Sequence, residues 1–166
     1  TYAVGRDTSG SATGVATVAM NNFAATSTYL YTVSGGIATA CSQTAGSASG
    51  CELQVYDISS STNPVFVAGR DAGGNSASTS AIAINAVVVS GNYLYTVKNS
   101  STIACTQVAG TADGCELMVW DISSSTNPVY VAGRDVSGSA AGTQGVNTQQ
   151  LVIASSTLYV AKAGSA

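Results

Sequence analysis

Four cysteines are the residues of this sequence whose type and spacing speak most directly of chemistry. Cys41 and Cys51 stand ten residues apart, and Cys105 and Cys115 repeat that interval 64 residues later. One use of such pairs is a local disulfide in each copy, which the chain-entropy model values at roughly 2.5 to 3 kcal/mol for a loop this short. The other is metal binding. Zinc ligand pairs sit two to four residues apart and come with partners, whereas these are wider and the chain has no histidine. The pattern therefore favours two structural bridges, and with them an oxidising, extracellular or cell-surface location.

The missing histidine excludes further chemistry: a Ser-His-Asp triad, a His-ligated haem and the usual catalytic zinc centres all require it. What remains is carboxylate work. The acidic residues are Asp7, Glu52, Asp57, Asp71, Asp113, Glu116, Asp121 and Asp135. Most occupy equivalent places in a repeat, which is what a structural role produces. Asp57 and Asp121 are expected to close the turn after a strand. Arg6, Arg70 and Arg134 are expected to pair with a nearby carboxylate or backbone carbonyl. An enzyme would need two of these acids converging in a pocket, and loss of a measured activity on replacing Asp71 or Asp113 would mark one. Asp-Ala-Gly-Gly-Asn at 71–75 has oxygen donors on a tight turn but neither the spacing nor the closing Glu of a calcium loop, so it reads as a polar turn. The Gly-rich stretches lack the patterns that cradle phosphate. No cofactor is expected. Asn99 opens an Asn-Ser-Ser sequon, a possible glycosylation point. The tyrosines 29, 31, 56, 93 and 95 and Trp120 could line a sugar-binding surface, but their regular places in strands favour packing between sheets.

The elements holding these residues follow from a repeat. Gly-Arg-Asp occurs at Gly5, Gly69 and Gly133, a period of 64 residues that divides the chain into 1–4, 5–68, 69–132 and 133–166. Within each copy the same apolar segments recur: 18–25, 82–89 and 146–153; then 29–33, 93–97 and 157–161; then 52–57 and 116–121; then 64–68, 128–132 and 1–4. They are short, rich in β-branched and aromatic residues, and bounded by Gly, Asn, Ser and Pro. Ser-Gly-Asn at 90–92 is tight-turn chemistry, since Gly and Asn accept positive φ. Each copy therefore reads as a four-stranded antiparallel sheet. The fold expected is all-β, its blade-like sheets arranged as a propeller or as an open stack.

Charge narrows the partners. Only 8% of residues are charged, against roughly a quarter in typical soluble domains. Five basic residues in a chain of net charge −3 cannot neutralise many phosphates, so nucleic acid is excluded as a partner. No run approaches the ~20 apolar residues of a membrane helix, and no membrane insertion is expected. A start at Thr1 without initiator Met or leader fits either a processed product or a piece of a longer polypeptide.

Leu-Met-Val-Trp-Asp-Ile-Ser at 117–123, followed by Asn127-Pro128 and preceded by Gly-Asn-Tyr-Leu-Tyr at 91–95, resembles the LVIVD-repeat family. There a GNYAYVA-type strand pairs with an LxVxDIS-type strand. The likeness recurs in the first copy, with Ser-Thr-Tyr-Leu-Tyr at 27–31. It implies a propeller-like fold in a secreted or surface protein and says little of activity. Two insertions depart from the family, one after Gly-Arg-Asp and one holding the cysteines.

The strands expected number eleven, under three blades, where a closed propeller needs at least four. Unpaired strands at each end would invite pairing with another chain. The leading expectation is thus a non-enzymatic, secreted structural subunit that polymerises head to tail through its terminal strands into a filament or surface layer. The alternative is a segment of a larger LVIVD-type propeller that binds a glycan or surface protein.

Overall fold

The computed structural model describes residues 5–11, 18–75, 79, 81–99, 102–124, 126–143 and 145–163. Ten strands run β1 (Met20–Ala25), β2 (Tyr29–Ser34), β3 (Leu53–Asp57), β4 (Val65–Arg70), β5 (Ile84–Ser90), β6 (Tyr93–Lys98), β7 (Leu117–Asp121), β8 (Val129–Arg134), β9 (Thr148–Ala154) and β10 (Thr157–Lys162). They form a first sheet in the order β1-β2-β3-β4, a second in the order β5-β6-β7-β8, and a third of β9 and β10. Among the described residues all pairings are antiparallel and no barrel closes. The strand expected at 1–4 lies outside the described residues.

The sheets stack face to face in sequence order, with β1 and β2 on β5 and then β5 and β6 on β9. Alternation along each strand decides which side chains enter the stack. Tyr31, Val33, Leu53, Val55 and Ala68 face the second sheet and meet Ile84, Val87, Leu94, Trp120 and Tyr130 in one continuous core. On its other face the first sheet keeps a smaller cluster, in which Cys41, Cys51, Tyr56 and Phe66 gather with Leu30. Residues 7–11 lie over that cluster: the Gln54 amide donates to the Thr8 carbonyl at 2.6 Å, and Gly10 approaches the Phe66 ring.

The hairpin turns show how one period tolerates different residues. Gly91 takes φ 57° in the β5–β6 turn, and at the same place in the β9–β10 turn Ser155 takes φ 56°. A left-handed residue other than glycine costs roughly 1–2 kcal/mol. Ser155→Gly is accordingly expected to stabilise the fold by about 1 kcal/mol once glycine's extra chain entropy is subtracted. Thermal melts of the variant against the parent measure it.

Candidate functional site

The cysteines form Cys41–Cys51 at 2.03 Å and Cys105–Cys115 at 2.02 Å, each pinning the insertion before the third strand of its sheet. Each bridge packs on the glycine of the following Gly-Arg-Asp. A Cβ on Gly69 would lie 2.3 Å from Cys51 Sγ, and one on Gly133 2.5 Å from Cys115 Sγ. No real Cβ comes so close, so the disulfide is the reason for glycine there.

Arg6 and Arg70 each clamp the turn before a fourth strand, and Arg70 thereby ties the first sheet to the second. Arg6 donates through Nε to the Pro64 carbonyl at 2.6 Å and through Nη2 to Asn63 Oδ1 at 2.8 Å. Arg70 does the same one repeat later, to the Pro128 carbonyl at 2.6 Å and to Asn127 Oδ1. Arg70 is buried, and loss of water lowers its pKa. Arg134 is exposed and bonds the carbonyl of its neighbour Gly133. Asp57 and Asp121 accept from Ser59 N at 2.8 Å and Ser123 N at 2.7 Å in the turn after the third strand. Hydrogen bonds from the serine, led by its side chain for Asp57 and its backbone for Asp121, hold both carboxyls below the usual range. Asn99 is half-buried and its Oδ1 accepts from Asn85 Nδ2 at 2.7 Å; residues 100 and 101 of its sequon lie outside the described residues. Tyr31, Tyr56 and Trp120 are buried, with edge-to-face pairs Tyr56–Phe66 and Trp120–Tyr130.

The sequence reading overlooked Lys98. Its side chain is fully buried between the first two sheets, where Nζ donates to the carbonyls of Ala72 at 2.6 Å and Ala112 at 2.7 Å. Asp113, Glu116, Asp71 and Glu52 supply the surrounding negative charge. Asp71 and Asp113 do converge, since both Oδ1 atoms lie near 3 Å from a Cβ placed on Gly73. Asp71 is buried there and Asp113 half-buried, beside the Lys98 ammonium. The available signal was Lys98 and Lys162, two of only five basic residues, standing one period apart.

Burial dominates the titration of Lys98 and Glu52. It lowers the Lys98 pKa to about 8 against the pull of the four carboxylates. It raises Glu52 to about 8, opposed by the Ala72 N–H and reinforced by Asp71. For Glu52 the folded value exceeds the unfolded one, so its contribution to stability is present below about pH 4.5 and is lost as pH rises to about 8. For Lys98 the folded value is depressed, so stability returns between about pH 8 and 10.5. Thermal melts are expected to show a minimum near pH 8, and Glu52→Gln to flatten its acidic side.

A second overlooked device joins the sheets through their bulges. Asn21 is the unpaired extra residue of β1 and Asn85 that of β5. A bulge re-aims the side chain it carries. Here Asn21 Nδ2 donates to the Ile84 carbonyl at 2.8 Å, and Asn85 Nδ2 to the Thr148 carbonyl at 2.6 Å. Each sheet thus donates to the start of the next.

Among the described residues three surfaces stand out as open to solvent. An apolar groove of about 290 Å³ on the outer face of the first sheet is lined by Met20, Phe23, Leu30, Thr32 and Tyr56. A groove of about 290 Å³ beside β10 is lined by Glu116, Arg134, Asp135, Thr148, Val160 and Lys162. The outer face of the third sheet exposes Val152 and Tyr159, which are register partners. Among the described residues no cluster of ligands suits a metal ion, and no helix is long and apolar enough to cross a membrane.

No curated protein and no solved structure matches the chain. The family model of the LVIVD repeat matches residues 84–103, which span β5, β6 and the start of the cysteine insertion; the Leu-Met-Val-Trp-Asp-Ile-Ser part of the resemblance lies beyond that match. The second sheet of this stack therefore opens with an LVIVD repeat.

Proposed function

We propose that the chain is a non-enzymatic structural subunit of the extracellular space that assembles head to tail into a filament or surface layer. The observation that carries the reading is the uncovered side of the second sheet. Leu53 and Val55 of β3 are buried, while their counterparts Leu117 and Val119 in β7 are only partly covered. Among the described residues, β10 pairs on one side alone, with β9, so its other edge offers backbone donors and acceptors to an incoming strand. Two disulfides and sparse charge fit an extracellular setting, as does the LVIVD repeat. Asp71 accepts from the Gly73 N–H in its own turn and lies with Asp113 beside the Lys98 ammonium, which supports a structural use of these acids. Negative-stain images of native material are expected to show filaments or layers; discrete monomers alone would overturn the reading.

A second reading draws on the LVIVD match itself: the chain is a segment of a larger propeller whose loops bind a glycan or surface protein. It requires an intact polypeptide well above 16.4 kDa with further copies of the repeat, which intact-mass measurement of native material decides.

A further inference from the structure

The two outer faces of the stack carry, position for position, the residues that meet inside it. Between the first and second sheets, Ala24 and Tyr31 pack into the core formed with Ile84, Val87 and Leu94. One period earlier than that second set stand Met20, Phe23 and Leu30 on the outer face of the first sheet. Val87 is 3% exposed, whereas Phe23 is 66% and Met20 50%. The difference is the cover, because the side chains are of one kind. Two periods after Ala24 and Tyr31 stand Val152 and Tyr159 on the outer face of the third sheet. Tyr31 is fully buried while Tyr159 is 55% exposed.

The polar ladder is interrupted at the same places. The third bulge falls at Gln149, skipped where Thr148 pairs Lys162 and Gln150 pairs Ala161. Gln149 is exposed, a carboxamide one period beyond Asn85. The carbonyls that receive the first two amides belong to residues 84 and 148, and the corresponding earlier position is Met20, also exposed.

We infer that the outer face of the third sheet of one molecule stacks on the outer face of the first sheet of a second copy. Val152 and Tyr159 cover Phe23 and Leu30, and Gln149 donates to the Met20 carbonyl, in the manner of the two internal junctions. No acidic residue lines either patch, and the Arg6 guanidinium beside the first-sheet groove is engaged by Pro64 and Asn63, so apolar burial and the amide hydrogen bond hold the contact. The inference rests on the assembly reading and names its contact. Because the two faces differ, the contact is heterologous and propagates in one direction.

Complementary face variants of the whole chain test it. Phe23→Asp spoils the first-sheet face and Tyr159→Asp the third-sheet face; both positions are exposed, and circular dichroism with a thermal melt verifies that each variant folds. Light scattering after size exclusion, over a concentration series, is expected to show the parent growing into large species and each variant alone remaining monomeric. Mixed in equal amounts, the variants are expected to give a two-chain species that grows no further, joined through the one intact face of each. Parent protein that stays monomeric throughout would overturn the assembly reading. Parent protein that assembles while both variants assemble equally well, or a variant that dimerises alone, would leave that reading standing and overturn the stacking contact.

Discussion

Reduction of both disulfides is expected to cost roughly 5 kcal/mol, about 2.7 kcal/mol for each loop on the chain-entropy model. That is comparable with the whole stability of an ordinary small domain, about 5–15 kcal/mol. A second effect adds to it. Cys51 and Cys115 are fully buried and their sulfurs abut Gly69 and Gly133. Parting a bridge therefore loosens the contact with the following strand as well as the loop. Urea denaturation with and without reductant measures the change as a fall in midpoint. The variants Cys51→Ser and Cys115→Ser, taken singly, apportion it between the sheets. A reduced protein with an unchanged midpoint would show that the loops are held by their hydrogen bonds alone.

Lys98→Met is the second large effect, and its sign needs an argument because two contributions oppose. Methionine relieves the burial of a charge whose pKa falls from 10.5 to about 8 even after the pull of the surrounding carboxylates, a net of roughly 3 kcal/mol at about 1.4 kcal/mol per pH unit. Against this stand two hydrogen bonds from a charged donor, roughly 1.5–3 kcal/mol each. Removing one side of a buried charge network usually costs 3–5 kcal/mol, so the loss outweighs the relief. A net destabilisation of about 1–3 kcal/mol is expected at pH 8. At pH 5 it should be smaller, because carboxyls left without a cation can take up protons. The widening gap between variant and parent melts from pH 5 to pH 8 separates this electrostatic cause from simple mispacking, which would be independent of pH.

The all-β sheets were legible because the repeat supplied its own control: each apolar segment recurred with the same turn residues around it. The resemblance carried by Gly-Asn-Tyr-Leu-Tyr at 91–95 falls within the LVIVD match. What connects one sheet to another was not legible. Asn21, Asn85 and Gln149 differ from neighbouring polar residues only through a bulge, a feature of register that alternation does not reveal. Lys98 sits where the first copy has Ser34 and the third Lys162, so the period alone could not show that one of the three would be buried among acids. In the sequence Gly69 and Gly133 do no more than mark the period, yet the reason for them is a sulfur atom from a distant loop.

Gln43 gives the molecule a property unrelated to its core. Its amide donates to the Gly69 carbonyl at 2.9 Å and accepts from the Gly69 N–H at 3.0 Å; Gln107 treats Gly133 in the same way, at 3.1 and 2.9 Å. A side chain thus imitates a neighbouring strand and occupies the rim of β4 and β8 where a foreign backbone would otherwise dock. Proteins commonly guard such rims with lysines or other charges, which this chain hardly possesses. The carboxamide is an uncharged substitute: it resists sideways fusion of sheets from different molecules without electrostatic repulsion, and so works as well in concentrated salt as in fresh water.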